Sequence, residues 1–234
     1  FYHEKSFIFA LSIFNLNKKK MNQEIEFIKP IPIEKEVAWD KTKIIMSKTD
    51  LYGTIEYVNE VFTDVSGYED CELISKPHNI IRHPDMPQII YKILWDNIKQ
   101  GNQFHGIIKN LAKSGRYYWA ITDFEYVMDE NNNVIKYIAR RKAVPQDVIT
   151  KHIEPLYRRL LQIEQVSGVD ASENYLIGFL EESGVNYVDL ITNLMIDDDK
   201  AGQLQGMKGK GLEANGEDSK EKRQGFFSKF FSKN

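Results

Sequence analysis

Short apolar runs separated by turn residues dominate the middle of the chain. "KIIMSKTD" and "TIEYVN" are rich in β-forming residues and are joined by "LYG", a strand–turn–strand pattern. "EVFTDVSG" reads as a brief helix closed by Gly67. In "MPQIIYKILWDNIKQG" the apolar positions Ile89, Ile90, Ile93, Leu94 and Ile98 recur at helical spacing, and Gly101 ends the run. Three strand-like runs follow, "FHGIIKNLAK", "RYYWAITDFEYVMD" and "NVIKYIARRKAV", with turns at Ser114-Gly115 and at the "ENNN" of Glu130–Asn133. The order β-β-α-α-α-β-β-β predicts an α+β domain, with helices packed on one face of an antiparallel sheet.

Past Pro145 the period changes. Ile149, Ile153, Leu156, Leu160 and Ile163 alternate in steps of four and three, a helix that Pro155 is expected to kink or restart. Asp170 and Glu173 suggest a capping-box start for "ASENYLIGFLEESG", and "VNYVDLITNLM" forms a second short apolar helix. A polar, glycine-rich linker then leads to "FFSKFFSKN". At the front, Pro30 and Pro32 favour an extended lead. The expected organisation is therefore 1–20 as an extension upstream of a native start at Met21, 21–42 as the lead, 43–144 as the folded domain, 145–166 as an output or linker helix, 170–196 as a short helical segment, 197–224 as a flexible linker and 225–234 as an amphipathic, basic-aromatic tail.

Composition narrows the function. The chain has 234 residues, 42% hydrophobic and 28% charged, as globular proteins do. A formal net charge of −3 and no basic stripe in the central region argue against nucleic acid as a partner. The one cysteine, Cys71, excludes an intrachain disulfide and cysteine-rich zinc sites, and fits a reducing, cytoplasmic setting. The longest apolar run, "FIFALSIFNL", falls short of the ~20 residues of a membrane-spanning helix.

"HNIIRHPDMP" (His78–Pro87) concentrates candidate chemistry. Pro84 pushes His83 into an extended conformation, and Asp85 stands where an N-cap of the following helix is expected. Arg82 is within reach of pairing with Asp85. A metal site is poorly served by two histidines and one aspartate without an i, i+4 pair. No activated serine or cysteine offers a nucleophile.

The run "TIEYVNEVFTDVSGYEDCELISKPHNIIRHPDMP", followed by "LWDNIKQG" and "GIIKNLAKSGRYYWA", resembles the PAS domain of bacterial aerotaxis (Aer-type) receptors; with "EPLYRRL" the likeness extends over Lys43–Tyr157. The resemblance implies a PAS fold, a five-stranded antiparallel sheet with short helices on one face, here followed by C-terminal helices and a flexible tail. It implies non-covalent FAD as cofactor, a redox or energy-taxis sensor and not an enzyme, and a separate membrane-bound, methyl-accepting-type signalling partner. Carried over residue by residue, Asn59, Arg82, His83, Asp85, Trp95 and Asn110 become cofactor-binding candidates. Phe104 joins them where the family usually has Trp, offering less ring area and no N–H donor. A light-sensing cysteine adduct is not expected, since Cys71 lies upstream of the loop concerned. A haem pocket, with His78, His83 or His105 as axial ligand, or a cofactor-free dimerisation module, are the alternatives. The helix Gln146–Gln165 and the sheet residues Tyr118, Phe124 and Tyr126 are expected contact surfaces for a partner or a second copy. Phe226, Phe227, Phe230 and Phe231 fall on one helical face flanked by basic residues, which suits contact with the inner face of a cell membrane; a docking peptide for a partner or a disordered end are the alternatives.

Overall fold

The computed structural model describes residues 29–102 and 104–196, so the expectations for the N-terminal extension and for the linker and tail lie outside the described residues. Residues 31–196 fall within one compact unit. Its centre is a five-stranded antiparallel sheet of β1 (Ile45–Thr49), β2 (Ile55–Val58), β3 (Phe104–Leu111), β4 (Tyr117–Met128) and β5 (Val134–Lys142), arranged β2-β1-β5-β4-β3. Between β2 and β3 come α1 (Glu60–Ser66), α2 (Asp70–Leu73), a 3₁₀ turn (His78–Ile81) and α3 (Gln88–Lys99). This is the α+β architecture that the spacing of apolar runs predicts.

Local signals explain most of these boundaries. The Asn59 side chain caps α1 by accepting from Phe62 N, and Gly67 closes it in the left-handed conformation at φ 72°. The tight turn at Gly115 (φ +80°) holds the lead against the sheet: a Cβ there would lie 2.3 Å from the carbonyl oxygen of Ile31. Ile33 N donates to Gly115 O, and Glu36 bridges to Tyr117 in parallel, so the proline-rich lead is extended as expected.

The inner sheet face carries two apolar clusters. Ile45, Ile55, Val58, Phe62, Val65, Leu73, Ile81 and Tyr118 pack beneath α1 and α2. Ile89, Ile90, Leu94, Ile98 and Ile108 join α3 to β3. Tyr118 is fully buried in the first cluster, so it is not available as the partner contact expected of it.

The helices after β5 complete the molecule. A single turn, α4 (Gln146–Val148), runs through a π-helical segment (Ile149–Ile153) into α5 (Glu154–Ser167). The wide turn sits just before Pro155, at the second position of α5, which is how the chain absorbs the missing N–H without breaking the helix. α6 (Val169–Ser183) starts at Gly168 with no side-chain cap, so the expected capping box of Asp170 and Glu173 does not form: Glu173 pairs instead with Lys92 on α3 at 2.7 Å. α7 (Tyr187–Ile196) lies along β3. Trp119, on the outer sheet face, packs on Tyr157 of α5 with ring centroids 6.1 Å apart. Tyr157 Oη donates to Ile107 O at 2.7 Å and pairs with Tyr187 Oη at 2.6 Å. Helices thus cover both faces, where the sequence suggested one.

Candidate ligand pocket

Alternation along the strands decides what faces inward. Ser47 and Thr49 of β1, Tyr137, Ala139 and Arg141 of β5, Thr122 and Phe124 of β4, and Ile108 and Asn110 of β3 share the inner face. α3 crosses above them and contributes Tyr91, Leu94, Trp95 and Ile98, while the 3₁₀ turn brings His78, Asn79, Ile81 and Arg82. Together they enclose a cavity of about 340 Å³, inside the roughly 300–1,000 Å³ range of small-molecule sites. Tyr52 and Gly53, in the β1–β2 turn, form part of its rim, and the Tyr52 side chain is 90% exposed.

Of the seven residues singled out in the sequence, Arg82, Trp95 and Asn110 line this cavity. Arg82 lies over the Tyr91 ring, 3.6 Å from its centroid, and its buried Nε has no hydrogen-bond partner. Trp95 meets Tyr137 edge-on, with centroids 6.0 Å apart. Asn110 is 3% exposed and bridges Arg82 through the backbone; its Nδ2 makes one long contact, 3.3 Å, to Ile108 O. The hydroxyl of Thr122 is also buried without a partner. Two lining residues thus hold buried polar atoms without a protein partner, Arg82 Nε and Thr122 Oγ1, as a site completed by a ligand would.

The other four residues are elsewhere. Asn59 spends its side chain locally: Oδ1 accepts from Met46 N and Phe62 N, and Nδ2 donates to Ile44 O. His83 follows Arg82 on extended backbone and points the opposite way, 1% exposed, edge-on to Tyr117. Its Nδ1 lies 3.1 Å from the Asp85 amide nitrogen and 3.5 Å from the Asp85 carboxylate. Asp85 pairs with the buried Lys109 at 2.8 Å, which ties the loop to β3 and leaves Arg82 without it. Asp85 is not the N-cap of α3. That helix starts after Pro87, and its first amides, Gln88 N and Ile89 N, donate to the Glu164 carboxylate of α5 at 2.8 and 2.9 Å. Phe104 stacks on Tyr187 with centroids 5.7 Å apart and planes 10° apart, its ring lying over Gly106, where any Cβ would collide with it at 2.7 Å.

The sequence reading missed Ser47, Tyr91, Thr122, Tyr137 and Arg141, and weighed His78 only as a metal ligand. Arg141 is 3% exposed. It donates through Nη1 to Ser47 Oγ at 3.0 Å, and its Nη2 lies 2.9 Å from His78 Nε2. Burial, reinforced by the Arg141 charge, pushes the His78 pKa down to about 3. Burial also lowers the Arg141 pKa to about 10, which leaves it charged at neutral pH. The period-two pattern of "YIARRK" puts Arg141 on the face of Tyr137 and Ala139, and that was the available signal.

Residues 55–140 match the family model described as PAS fold. The aerotaxis receptor of Escherichia coli (strain K12) is 36% identical over 116 residues, 50% of this chain and 22% of that receptor. The biofilm dispersion protein BdlA of Pseudomonas aeruginosa is 26% identical over 133 residues, 53% of this chain and 32% of that protein. The matched stretch therefore spans less than a third of either relative. A solved light-oxygen-voltage domain, studied with a flavin analogue, superposes with a TM-score of 0.45 at 16% identity, over 50% of this chain and 90% of that one.

Proposed function

Residues 55–140 form a PAS domain related to that of an aerotaxis receptor, and from this we propose that the chain is a redox sensor holding FAD in the cavity beneath α3 and passing its state to a separate signalling protein. The observation that carries this is the lining itself: aromatic and aliphatic walls from Tyr91, Trp95, Phe124, Tyr137 and Ile108, among which Arg82 and Thr122 hold polar atoms without a partner and Asn110 an amide with one long contact. That mixture suits a flat heteroaromatic ring with a polar edge. When bound, the flavin supplies reversible electron uptake, and the protein supplies orientation and electrostatics.

Arg82 and Asn110 are the residues to hold the polar edge, and Trp95 to cover a ring face. Asn59, His83, Asp85 and Phe104 act through neighbours in this reading, by fixing α1, the loop around Arg82 and the end of β3. α3 is the natural transmitter, because the same helix walls the cavity and is held from outside by Glu164 and Glu173. A haem reading finds less support: among the described residues His78 is the histidine in the cavity wall, and its Nε2 already faces Arg141 and Ser47.

The relatives' names, aerotaxis receptor and biofilm dispersion protein, favour a chemotaxis-type membrane-bound partner over a nucleic acid. Among the described residues no helix is long and apolar enough to cross a membrane. Contact with the membrane would fall to Phe226–Phe231, outside the described residues, in a protein otherwise cytoplasmic. The test is the absorbance spectrum of the purified full chain, with chromatography of what heat releases. Twin flavin bands and released FAD are expected. A Soret band, or a chain that stays colourless after addition of FAD, overturns the flavin reading.

A further inference from the structure

The cavity wall built by β1, β5 and the 3₁₀ turn carries an unbalanced charge. Arg141 touches Ser47 Oγ, the carbonyl of Ala139 at 3.3 Å, His78 Nε2 and, at 5.7 Å, the ring of Phe62. Every one of these is neutral. His78 stays unprotonated there, because its Nε2 is the acceptor facing both the guanidinium and, at 3.0 Å, the Ser47 hydroxyl. The second guanidinium, Arg82, rests on Tyr91 with its Nε unpartnered. Among the described residues no aspartate or glutamate lines the cavity. Two cations and no anion thus face one largely apolar space.

A protein that needs an arginine only as a structural tie between strands pairs it with a carboxylate, since an uncompensated buried charge is expensive. Here the anchors are chosen the other way: a hydroxyl, a carbonyl and an imidazole fix the guanidinium in place and leave its charge unspent. Its planar fork is suited to an anion.

We propose that Arg141, positioned by Ser47 and His78 and assisted by Arg82, is a receptor for a negatively charged group of the ligand. This rests on the cavity being the ligand site and adds what the ligand must carry there. The charge has two sources in a flavin, a phosphate of its side chain or the ring itself once reduced.

The test uses the full chain and the variants R141M and R141K, with FAD, FMN and riboflavin as titrants, the midpoint potential of bound flavin as a second readout and thermal melting of the ligand-free protein as a third. If the phosphate is the partner, wild type prefers FMN to riboflavin by about 10- to 100-fold, and R141M loses that preference. If the reduced ring is the partner, oxidised FMN and riboflavin bind alike, and R141M shifts the midpoint potential to more negative values while R141K retains most of it. In either case ligand-free R141M melts no lower than wild type, because an unpaired buried charge has gone. Should R141M melt well below wild type with ligand preference and potential unchanged, Arg141 is a structural tie and the proposal fails. Should wild type bind no flavin, the functional reading falls separately. Inorganic pyrophosphate is then the probe: a melting shift in wild type that R141M abolishes keeps the anion receptor, and no shift in wild type ends it.

Discussion

His78 makes the cavity wall sensitive to acid. In the folded chain its ring holds out against protonation down to about pH 3, while an exposed histidine titrates near 6.5. The unfolded chain therefore binds more protons below about pH 6.5, and stability falls as pH drops from there toward 3, by at most about 1.4 kcal/mol per pH unit for this one group. The groups around it are Arg141 from β5, Arg82 from the loop, Ser47 from β1 and the Phe62 ring from α1, none of which supplies a compensating negative charge. His78→Gln keeps an acceptor for the guanidinium and cannot titrate. Urea unfolding at pH 7 and pH 4.5 is expected to show a smaller acid loss in the variant than in wild type; equal losses would place the sensitivity elsewhere. Arg82, Trp95 and Asn110 were legible in the sequence because a motif carries them. Ser47, Tyr91 and Arg141 belong to no contiguous motif: they meet only once strand pairing sets Ser47 beside Ala139 and Arg141 beside Ile45.

At the scale of elements, capping shows where local reading works and where it stops. Asn59 and Gly67 sit next to the helix they bound, and the sequence shows both. α3 looked equally simple, with Asp85 two residues before Pro87, yet its first amides are satisfied by Glu164, 75 and 76 residues further on. Lys109 had already taken Asp85. A carboxylate at a helix N-terminus combines a cap with a favourable dipole interaction. Glu164→Gln is expected to cost about 1 kcal/mol on those grounds, read by chemical denaturation. Because α3 also walls the cavity through Tyr91, Leu94, Trp95 and Ile98, the same variant should change flavin affinity although Glu164 is not among the lining residues. Unchanged affinity with reduced stability would make the clasp structural and remove α3 as the transmitter.

For the whole molecule, the helical segment from α4 to α7 does more than extend the chain. Val148, Ile149, Ile153, Leu156, Tyr157, Leu160, Leu176, Leu190, Ile191 and Leu194 belong to the same buried cluster as Ile107, Trp119 and Ile121 of the sheet. The sequence showed helical spacing here but not which surface it would meet, since an amphipathic stripe names no partner. A chain ended after residue 144 would expose that sheet face. It is expected to express in aggregated form or to melt far below the full chain; a soluble, equally stable truncation would show that the helices dock only loosely.

The coverage of the sheet margins has a consequence for assembly. On one side the β2 backbone is engaged by the loop before the 3₁₀ turn, Ile55 N donating to Lys76 O and Ser75 N to Ile55 O. On the other, β3 meets the Arg82 bridge at Asn110, the Tyr157 hydroxyl at Ile107 and Met86 Sδ at Lys109 N. Strand-by-strand templating, the common route to runaway β-aggregation, finds its hydrogen-bonding groups already taken at these points. At these points a second copy or a signalling partner is left to approach through side chains on helical or loop surfaces, which keeps encounters reversible and lets a small change in the cavity decide whether they last.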